Sequence, residues 1–242
     1  MYATFFASEF KKWLRDPMMR FMLIYPLLFG LIGRYLLPAI AETSDFAIEP
    51  YADFILAVLA LITPLAFGAL TGFSVLEDRD DHIINSIRVT PLTFNQFMSF
   101  RLIMVFLLTF AACAFVLWFS NISDLAWRDI LIVSFLASLS APLTGLVINI
   151  FSRNKIEGFA MMKLLGTIII LPVISLIFTD VKELFFAVVP AFWPAKIIST
   201  TIRGEEAMYL SYNLYLWIGL GYAALLNGLS YTRFVKKVAE EE

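Results

Sequence analysis

The feature that most constrains this chain is a series of long apolar runs separated by short charged segments. A run of roughly twenty residues matches the ~30 Å hydrocarbon core of a bilayer at 1.5 Å of helix rise per residue. Lipid offers the backbone no hydrogen-bond partner, so each run that crosses it is predicted to be an α-helix. The predicted spans are Met18–Leu37, Phe54–Leu76, Leu102–Phe119, Ile130–Phe151, Met161–Phe178 and Tyr212–Tyr231. We therefore expect an all-α polytopic membrane protein with six transmembrane helices.

Composition supports this fold class, because 60% of the residues are hydrophobic and only 16% are charged. A soluble domain carries about 25% charged and 45–50% apolar residues. A membrane β-barrel would show alternating polar and apolar residues in segments of ~10, and the sequence lacks that alternation. No boundary separates a second unit, so residues 1–242 are predicted to form a single transmembrane domain.

Lysine and arginine are distributed unevenly between the predicted loops. If the N-terminus is cytoplasmic, 13 of the 18 basic residues fall on the cytoplasmic side of the six spans. Cytoplasmic loops of membrane proteins carry such an excess of positive charge. The distribution therefore predicts a multi-pass protein with both termini in the cytoplasm.

The segment before the first span is predicted to be an amphipathic helix. Phe6, Phe10, Trp13 and Leu14 recur at helical spacing, with charged residues between them. Such a helix lies in the headgroup plane, with its aromatic side chains in the acyl boundary. Asp16 and Pro17 then break the helix and turn the chain into the membrane. An ordinary soluble helix is the alternative, although the sequence provides no soluble core for it to pack against.

A second segment is apolar but too short to span the membrane. Residues Leu184–Ile198 contain Pro190 and Pro194, which interrupt the run. Irregular or short helices at membrane depth are tolerated where they are covered by protein. We expect a re-entrant or interfacial helix on the outer face, directly before the sixth span.

The sequence contains little that could support enzymatic chemistry. His82 is the only histidine and Cys113 the only cysteine, so no zinc site of ordinary form is expected. No glycine begins a G-x-x-x-x-G-K-[ST] loop that would hold nucleotide phosphates. We therefore expect no catalytic residues, no metal and no cofactor in this chain.

Polar residues within the spans are candidates for the path of a transported molecule. Arg34 is the deepest charged residue, about one turn from the outer end of the first span. It is expected to extend its guanidinium outward to the interface, with lining of a path as the alternative. Thr71 and Asn149 are the other candidates for the path. Buried hydroxyls and amides also serve as contacts between membrane helices.

The loop after the second span carries the most informative pattern. Four acidic residues and an arginine open it, and Ile83, Ile84 and Ile87 then share one helical face. Thr90 and Pro91 end that short helix. An apolar ridge between polar flanks is suited to a groove of another protein. A loop resting on lipid is the alternative, but the acidic residues would face an anionic leaflet.

At this loop the sequence resembles the ABC-2 family of ABC-transporter permeases, whose corresponding loop typically reads E-R-E-x-G-T-L-E-x-L-L-x-[ST]-P. The matching residues are Asp78, Arg79 and Asp80 at E-R-E, Ile84 and Ile87 at the two ridge leucines, and Thr90 with Pro91 at the end. His82 stands at the usual glycine and Asn85 at the usual glutamate. Residues Arg153–Ala160 are similar to the family's basic entry into the fifth helix.

The resemblance implies a permease of a bacterial or archaeal cytoplasmic membrane that forms a homodimer or heterodimer. It also implies two separate ATP-binding-cassette ATPase subunits, which would hold ATP and Mg²⁺, with the short helix docked in each. The expected activity is export of a drug-like, lipophilic or amphipathic cargo. Two alternatives stay open: an ion-coupled secondary transporter, and a non-transporting scaffold that recruits a soluble partner. The first would need an intramembrane carboxylate, and no Asp or Glu lies at the centre of a predicted span.

Overall fold

The computed structural model describes residues 10–44, 47–81 and 93–240. Throughout these residues the ordered elements are helices, and no strand occurs among them. The predicted all-α class is therefore confirmed. Helical structure satisfies every backbone group within its own segment, which is what an apolar surrounding requires.

The helices are numbered here in chain order. They are α1 (10–15), α2 (Pro17–Leu31), α3 (Leu37–Ser44), α4 (Ala52–Asp80), α5 (Phe94–Ser120), α6 (Trp127–Ser138), α7 (Ser140–Phe151), α8 (Lys155–Ile168), α9 (Ile170–Ser175), α10 (Phe192–Arg203) and α11 (Tyr212–Glu240). A π-helical turn, Ile32–Leu36, joins α2 to α3. Single residues separate α6 from α7 and α8 from α9. A 3₁₀ segment, Val181–Val188, precedes α10.

Within the described residues, five helical stretches are long and apolar enough to cross a membrane. They are Met19–Ser44, Glu49–Asp80, Phe94–Ser120, Trp127–Phe151 and Lys155–Ser175. The sixth predicted span coincides with α11, a single helix of 29 residues. Tyr212, Asn213 and Asn227 make α11 more polar than the other spans. The chain is thus a membrane protein with several spanning helices, and crossing of the bilayer by α11 stays a prediction.

Helix α4 lies at the centre of the bundle, and its most extensive contact is with α7. Small residues allow this close approach, which is the usual device for packing helices in lipid. A Cβ added at Gly68 would lie 2.5 Å from the carbonyl oxygen of Ala141. The Asn149 amide nitrogen donates to the Gly72 carbonyl at 3.0 Å. Backbone contact and one amide therefore fix α4 against α7.

The first and fifth spans lie at the periphery, each packed against α4. Only 17% of the most apolar part of each is buried, against 72% for the span that contains α4. Large apolar side chains on both remain exposed, including Phe21 and Leu31 on α2 and Leu164 on α8. These faces are covered by lipid or by another subunit, because water would not cover so much apolar surface.

Candidate functional site at the end of the central helix

The candidate site begins where α4 ends, at Asp80. The prediction placed Asp78, Arg79 and Asp80 in a loop, but the structure places all three within the last turn of α4. The apolar run ends at Leu76, whereas the helix continues because its polar last turn is satisfied by partners from other helices. The rest of the predicted docking segment (His82, Ile83, Ile84, Ile87, Thr90 and Pro91) lies outside the described residues.

Asp78 is buried and contacts two cations from different helices. One carboxylate oxygen lies 2.6 Å from Arg101 Nη2, and the other lies 2.5 Å from Lys12 Nζ. Arg101 belongs to the second turn of α5 and is fully buried, with its guanidinium 4.7 Å from the ring centre of Phe97. A buried carboxylate is tolerated only when it is paired in this way.

The same network extends to the start of α8 through Lys155 and to α1 through Lys12. Lys155 Nζ lies 3.2 Å from Asp16 and 3.1 Å from Glu77. Lys12 Nζ also lies 3.2 Å from Glu77. Asp16 in addition caps α2, since its carboxylate accepts from the Met19 amide at 3.1 Å. The Asp78 cluster, defined as Lys12, Asp16, Glu77, Asp78, Arg101 and Lys155, is electrically neutral and joins five helices.

Two further cations support the neighbouring end of α7. Arg79 Nη1 donates to the Asn149 carbonyl at 3.3 Å. Lys237 of α11 donates to the carbonyls of Asn149, Ile150 and Ser152 at 3.0–3.1 Å. The last carbonyls of a helix have no partner within it and carry partial negative charge, so cations stabilise them. Asp80 is exposed and points away from this packing.

The amphipathic helix before the first span is only partly as predicted. Residues 10–15 are helical, Asp16 and Pro17 interrupt the helix, and Phe10 and Leu14 are exposed. Trp13, however, is fully buried beside Met19, Phe73 and Leu76, so its placement in the acyl boundary is wrong. The Lys12–Asp78 pair holds this helix against the bundle and turns the indole inward. Phe6 lies outside the described residues.

The predicted path residues lie on three different spans. Thr71 and Asn149 are buried on the helices α4 and α7, and the Asn149 amide contacts Gly72 across their interface. Both side chains pack between helices in this structure, and a role in a transport path stays a prediction. Arg34 is exposed, and Nη1 donates to the Phe119 carbonyl at 3.2 Å. That contact holds the π-helical turn of the first span against the end of α5.

A second charged network lies at the opposite end of α4, roughly 37 Å away at 1.5 Å per residue. Glu183 and Lys196 are both fully buried and 2.7 Å apart. The Tyr215 hydroxyl donates to Glu183, and Lys196 Nζ also donates to the Phe178 carbonyl at 2.7 Å. Burial lowers the pKa of the Lys196 ammonium, and the adjacent Glu183 carboxylate opposes that shift.

Asp53, at the start of α4, extends this second network. Its carboxylate lies 2.7 Å from Arg203 Nη2 and accepts from the Ser199 hydroxyl, also at 2.7 Å. The Glu183 cluster is therefore defined as Asp53, Glu183, Lys196, Ser199, Arg203 and Tyr215. It joins α4, α10, α11 and the 3₁₀ segment before α10. The predicted segment Leu184–Ile198 is divided between the 3₁₀ segment and the 12-residue helix α10, and its re-entrant or interfacial position stays a prediction.

Sequence reasoning missed both clusters because it assigned charges near the predicted spans to loops or snorkelling helix ends. The structure buries Asp53, Asp78 and Glu183, together with Arg101 and Lys196. One signal was present in the sequence: Lys196 stands alone within an otherwise apolar stretch. A lone cation in such a stretch requires a buried anion, and Glu183 supplies it.

Comparison with known proteins places these features in a family. The family model described as "Fluoroquinolones export permease protein Rv2686c-like" matches residues 9–231. The fluoroquinolones export permease proteins Rv2686c and MT2760, from Mycobacterium tuberculosis strains H37Rv and CDC 1551, are each 30% identical over 201 residues. That match covers 80% of this chain and 80% of each relative. No solved structure matches the chain.

Proposed function

Because this chain belongs to the Rv2686c-like family of fluoroquinolones export permease proteins, we propose that it is the membrane subunit of an ATP-driven exporter. In this proposal it is an ABC-2 permease, and separate ATP-binding-cassette subunits bind ATP with Mg²⁺ and hydrolyse it. The relatives are named for the export of fluoroquinolones. We propose the same cargo class here: flat, drug-sized molecules that carry both apolar and polar groups.

The observation that carries the proposal is the Asp78 cluster. Asp78 lies five residues before Ile83, the first residue of the predicted docking ridge that also includes Ile87. Its ion pairs connect the end of α4 to Lys12 of α1 and Arg101 of α5. Glu77 connects the same turn to Lys155 of α8. Movement of a docked ATPase would therefore be transmitted to several membrane helices through the ion pairs of the Asp78 cluster.

A second subunit is part of the proposal. The first and fifth spans are the least buried of the spanning helices described, and both flank α4. A homodimer or a heterodimer that pairs these faces would cover them with protein and enclose a pathway between the subunits. In this arrangement both termini and the docking helix lie in the cytoplasm, following the distribution of basic residues.

An ion-coupled carrier is the second candidate, because the structure contains buried carboxylates at Asp53, Asp78 and Glu183. Buried carboxylates often serve as sites for protons or sodium ions. Each of these three, however, lies within 2.7 Å of a cationic side chain. Each of these carboxylates is therefore already occupied by a cation of the protein itself, which leaves the ATP-driven exporter as the first candidate.

The deciding experiment measures uptake of a fluoroquinolone into inside-out membrane vesicles that contain this chain and its ATPase. Uptake is expected to require ATP and to persist when an ionophore collapses the proton gradient. Uptake driven by a proton gradient without ATP would support the ion-coupled carrier instead. If uptake is absent under both conditions, the scaffold alternative gains support.

The docking helix is tested by co-purification of the ATPase. Ile87→Asp would bury an unpaired charge in an apolar contact, which costs several kcal/mol. Because 1.4 kcal/mol is a factor of ten, the affinity is expected to fall about a thousandfold. Ser86→Asp is the matched control, since residue 86 lies off the predicted ridge. If both variants retain the ATPase equally, this loop is not the docking element.

A further inference from the structure

A partly open cavity of about 490 Å³ lies between helices of the subunit, and no residue of either charged cluster lines it. It is lined by α4 and α7, with Leu165 and Leu171 of the fifth span on one side and Leu226 of α11 on another. Val188–Ala191, the turn before α10, closes one end. We propose that this cavity is a binding site for an uncharged, largely apolar small molecule of drug size.

The position of helix interruptions supports a binding role. Pro64 interrupts the hydrogen bonding of α4, Ser140 follows the break between α6 and α7, and Ile169 is the break between α8 and α9. All three residues line this one cavity. Irregular backbone at membrane depth is tolerated only where protein or a cavity surrounds it. In membrane transport proteins, interrupted helices of this kind form ligand sites near the middle of the bilayer.

The chemistry of the lining selects the ligand class. Of the described residues that surround the cavity, none is ionisable, and most are leucine, isoleucine, valine or proline. The hydroxyls of Ser140, Thr144 and Ser230 are its polar side-chain groups. A volume of about 490 Å³ lies within the 300–1,000 Å³ typical of small-molecule sites. The lining therefore favours an uncharged molecule with one or two hydrogen-bonding groups.

A bound phospholipid fits the same lining less well. A phospholipid is recognised through its phosphate, which arginine or lysine binds. The described lining offers neither cation. A lipid acyl chain could enter without recognition, and the experiment below separates that outcome.

The test uses the purified full chain in phosphatidylcholine nanodiscs, without an ATPase. The probe is an uncharged biphenyl that carries a diazirine, and the labelled peptides are identified by mass spectrometry. Labelling of peptides from α7 and α11 is expected to saturate with probe concentration. Excess unlabelled biphenyl should reduce it at least tenfold. Labelling that rises linearly, or that biphenyl does not displace, would mean that lipid fills the cavity and would overturn the proposal.

Two variants of adjacent residues localise the site. Leu226→Trp enlarges a side chain that lines the cavity, and it is expected to reduce saturable labelling at least fivefold. Leu225→Trp makes the same change at a residue that is 57% exposed on the outer face of α11, and it should leave labelling unchanged. Equal labelling of the two variants would overturn the proposal. If Leu226→Trp does not fold, Val147→Phe fills the cavity from α7 and replaces it.

Discussion

The two ends of α4 carry charged clusters of the same net charge but of different construction. In the Glu183 cluster, the central pair of Glu183 and Lys196 is fully buried. In the Asp78 cluster, a buried pair of Asp78 and Arg101 is surrounded by half-exposed residues such as Lys12 and Lys155. The buried pair in the Glu183 cluster fixes one geometry. If Glu183 and Lys196 separated, each charge would remain buried with neither a partner nor water to stabilise it. The Asp78 cluster offers two partners to each of four charges: Lys12, Glu77, Asp78 and Lys155.

This difference matches the position of each cluster in the chain. The Asp78 cluster adjoins the segment that we propose to dock on an ATPase, where movement must pass into the bundle. The Glu183 cluster joins α10 and α11 to the start of α4, where Asp53 is held by Arg203 at 2.7 Å. We infer that the end of the bundle at the Asp78 cluster can rearrange, whereas the end at the Glu183 cluster keeps one arrangement of its helices. The following predictions test that contrast.

The largest effect is expected from Lys196→Met, which leaves the Glu183 carboxylate buried without its cation. Removing one member of a buried pair costs about 3–5 kcal/mol, so thermal unfolding in detergent should begin at a much lower temperature. The double variant Glu183→Gln with Lys196→Met should recover part of the loss. Lys182→Met is the control, because the Lys182–Asp180 pair is 72% and 53% exposed. Similar melting of Lys196→Met and Lys182→Met would contradict a rigid role for this cluster.

A smaller effect is expected from Arg101→Met in the Asp78 cluster. Asp78 would lose the contact at 2.6 Å but keep Lys12 at 2.5 Å, so its charge remains paired. Loss of a hydrogen bond to a charged group costs about 1.5–3 kcal/mol. The same unfolding measurement should place this variant between wild type and Lys196→Met, with the exposed Arg153→Met as control. A loss as large as that of Lys196→Met would show that the two clusters are equally rigid.

The smallest effect is expected from Lys155→Met, because Lys155 is 31% exposed and bridges two half-exposed carboxylates. Such pairs contribute at most about 1 kcal/mol, and salt screens them. The difference in melting temperature from wild type should be small in low salt and should shrink further in 1 M salt. Lys163→Met, at an exposed position on the same helix, provides the reference. A large, salt-independent loss would indicate that Lys155 holds the cluster together.

Hydropathy predicted the spanning helices well but not their ends. The run Phe54–Leu76 corresponds to α4, Ala52–Asp80, and the run Leu102–Phe119 to α5, Phe94–Ser120. The helices extend beyond the apolar runs because ion pairs satisfy the polar last turn of α4 and the Thr93–Gln96 capping box satisfies the polar first turn of α5. The breaks at Leu139 and Ile169, within the fourth and fifth spans, were not predicted, because a break of one residue leaves the mean hydropathy of a span unchanged.

The candidate site was predicted in its sequence position and not in its contacts. The loop pattern identified Asp78, Arg79 and Asp80, but their partners lie far away in the chain. Lys12 is separated from Asp78 by 66 residues, and no local periodicity relates two such positions. The packing of Thr71 and Asn149 between helices was not predicted for the same reason, because a polar residue within a span has the same sequence pattern whether it faces a path or a neighbouring helix.

The sequence by itself determined that this protein is a helical membrane protein with a charged segment at the end of its second span. That follows from the length of the apolar runs, because lipid leaves the backbone no choice but a helix. Only the tertiary structure decided which charges are buried, which helices they join, and where interrupted helices enclose a cavity. Those features depend on contacts such as Glu183 with Lys196 and Asp78 with Arg101. The energy of an ion pair in an apolar surrounding depends on the distance in space between its two charges. The separation of the two residues along the chain does not give that distance.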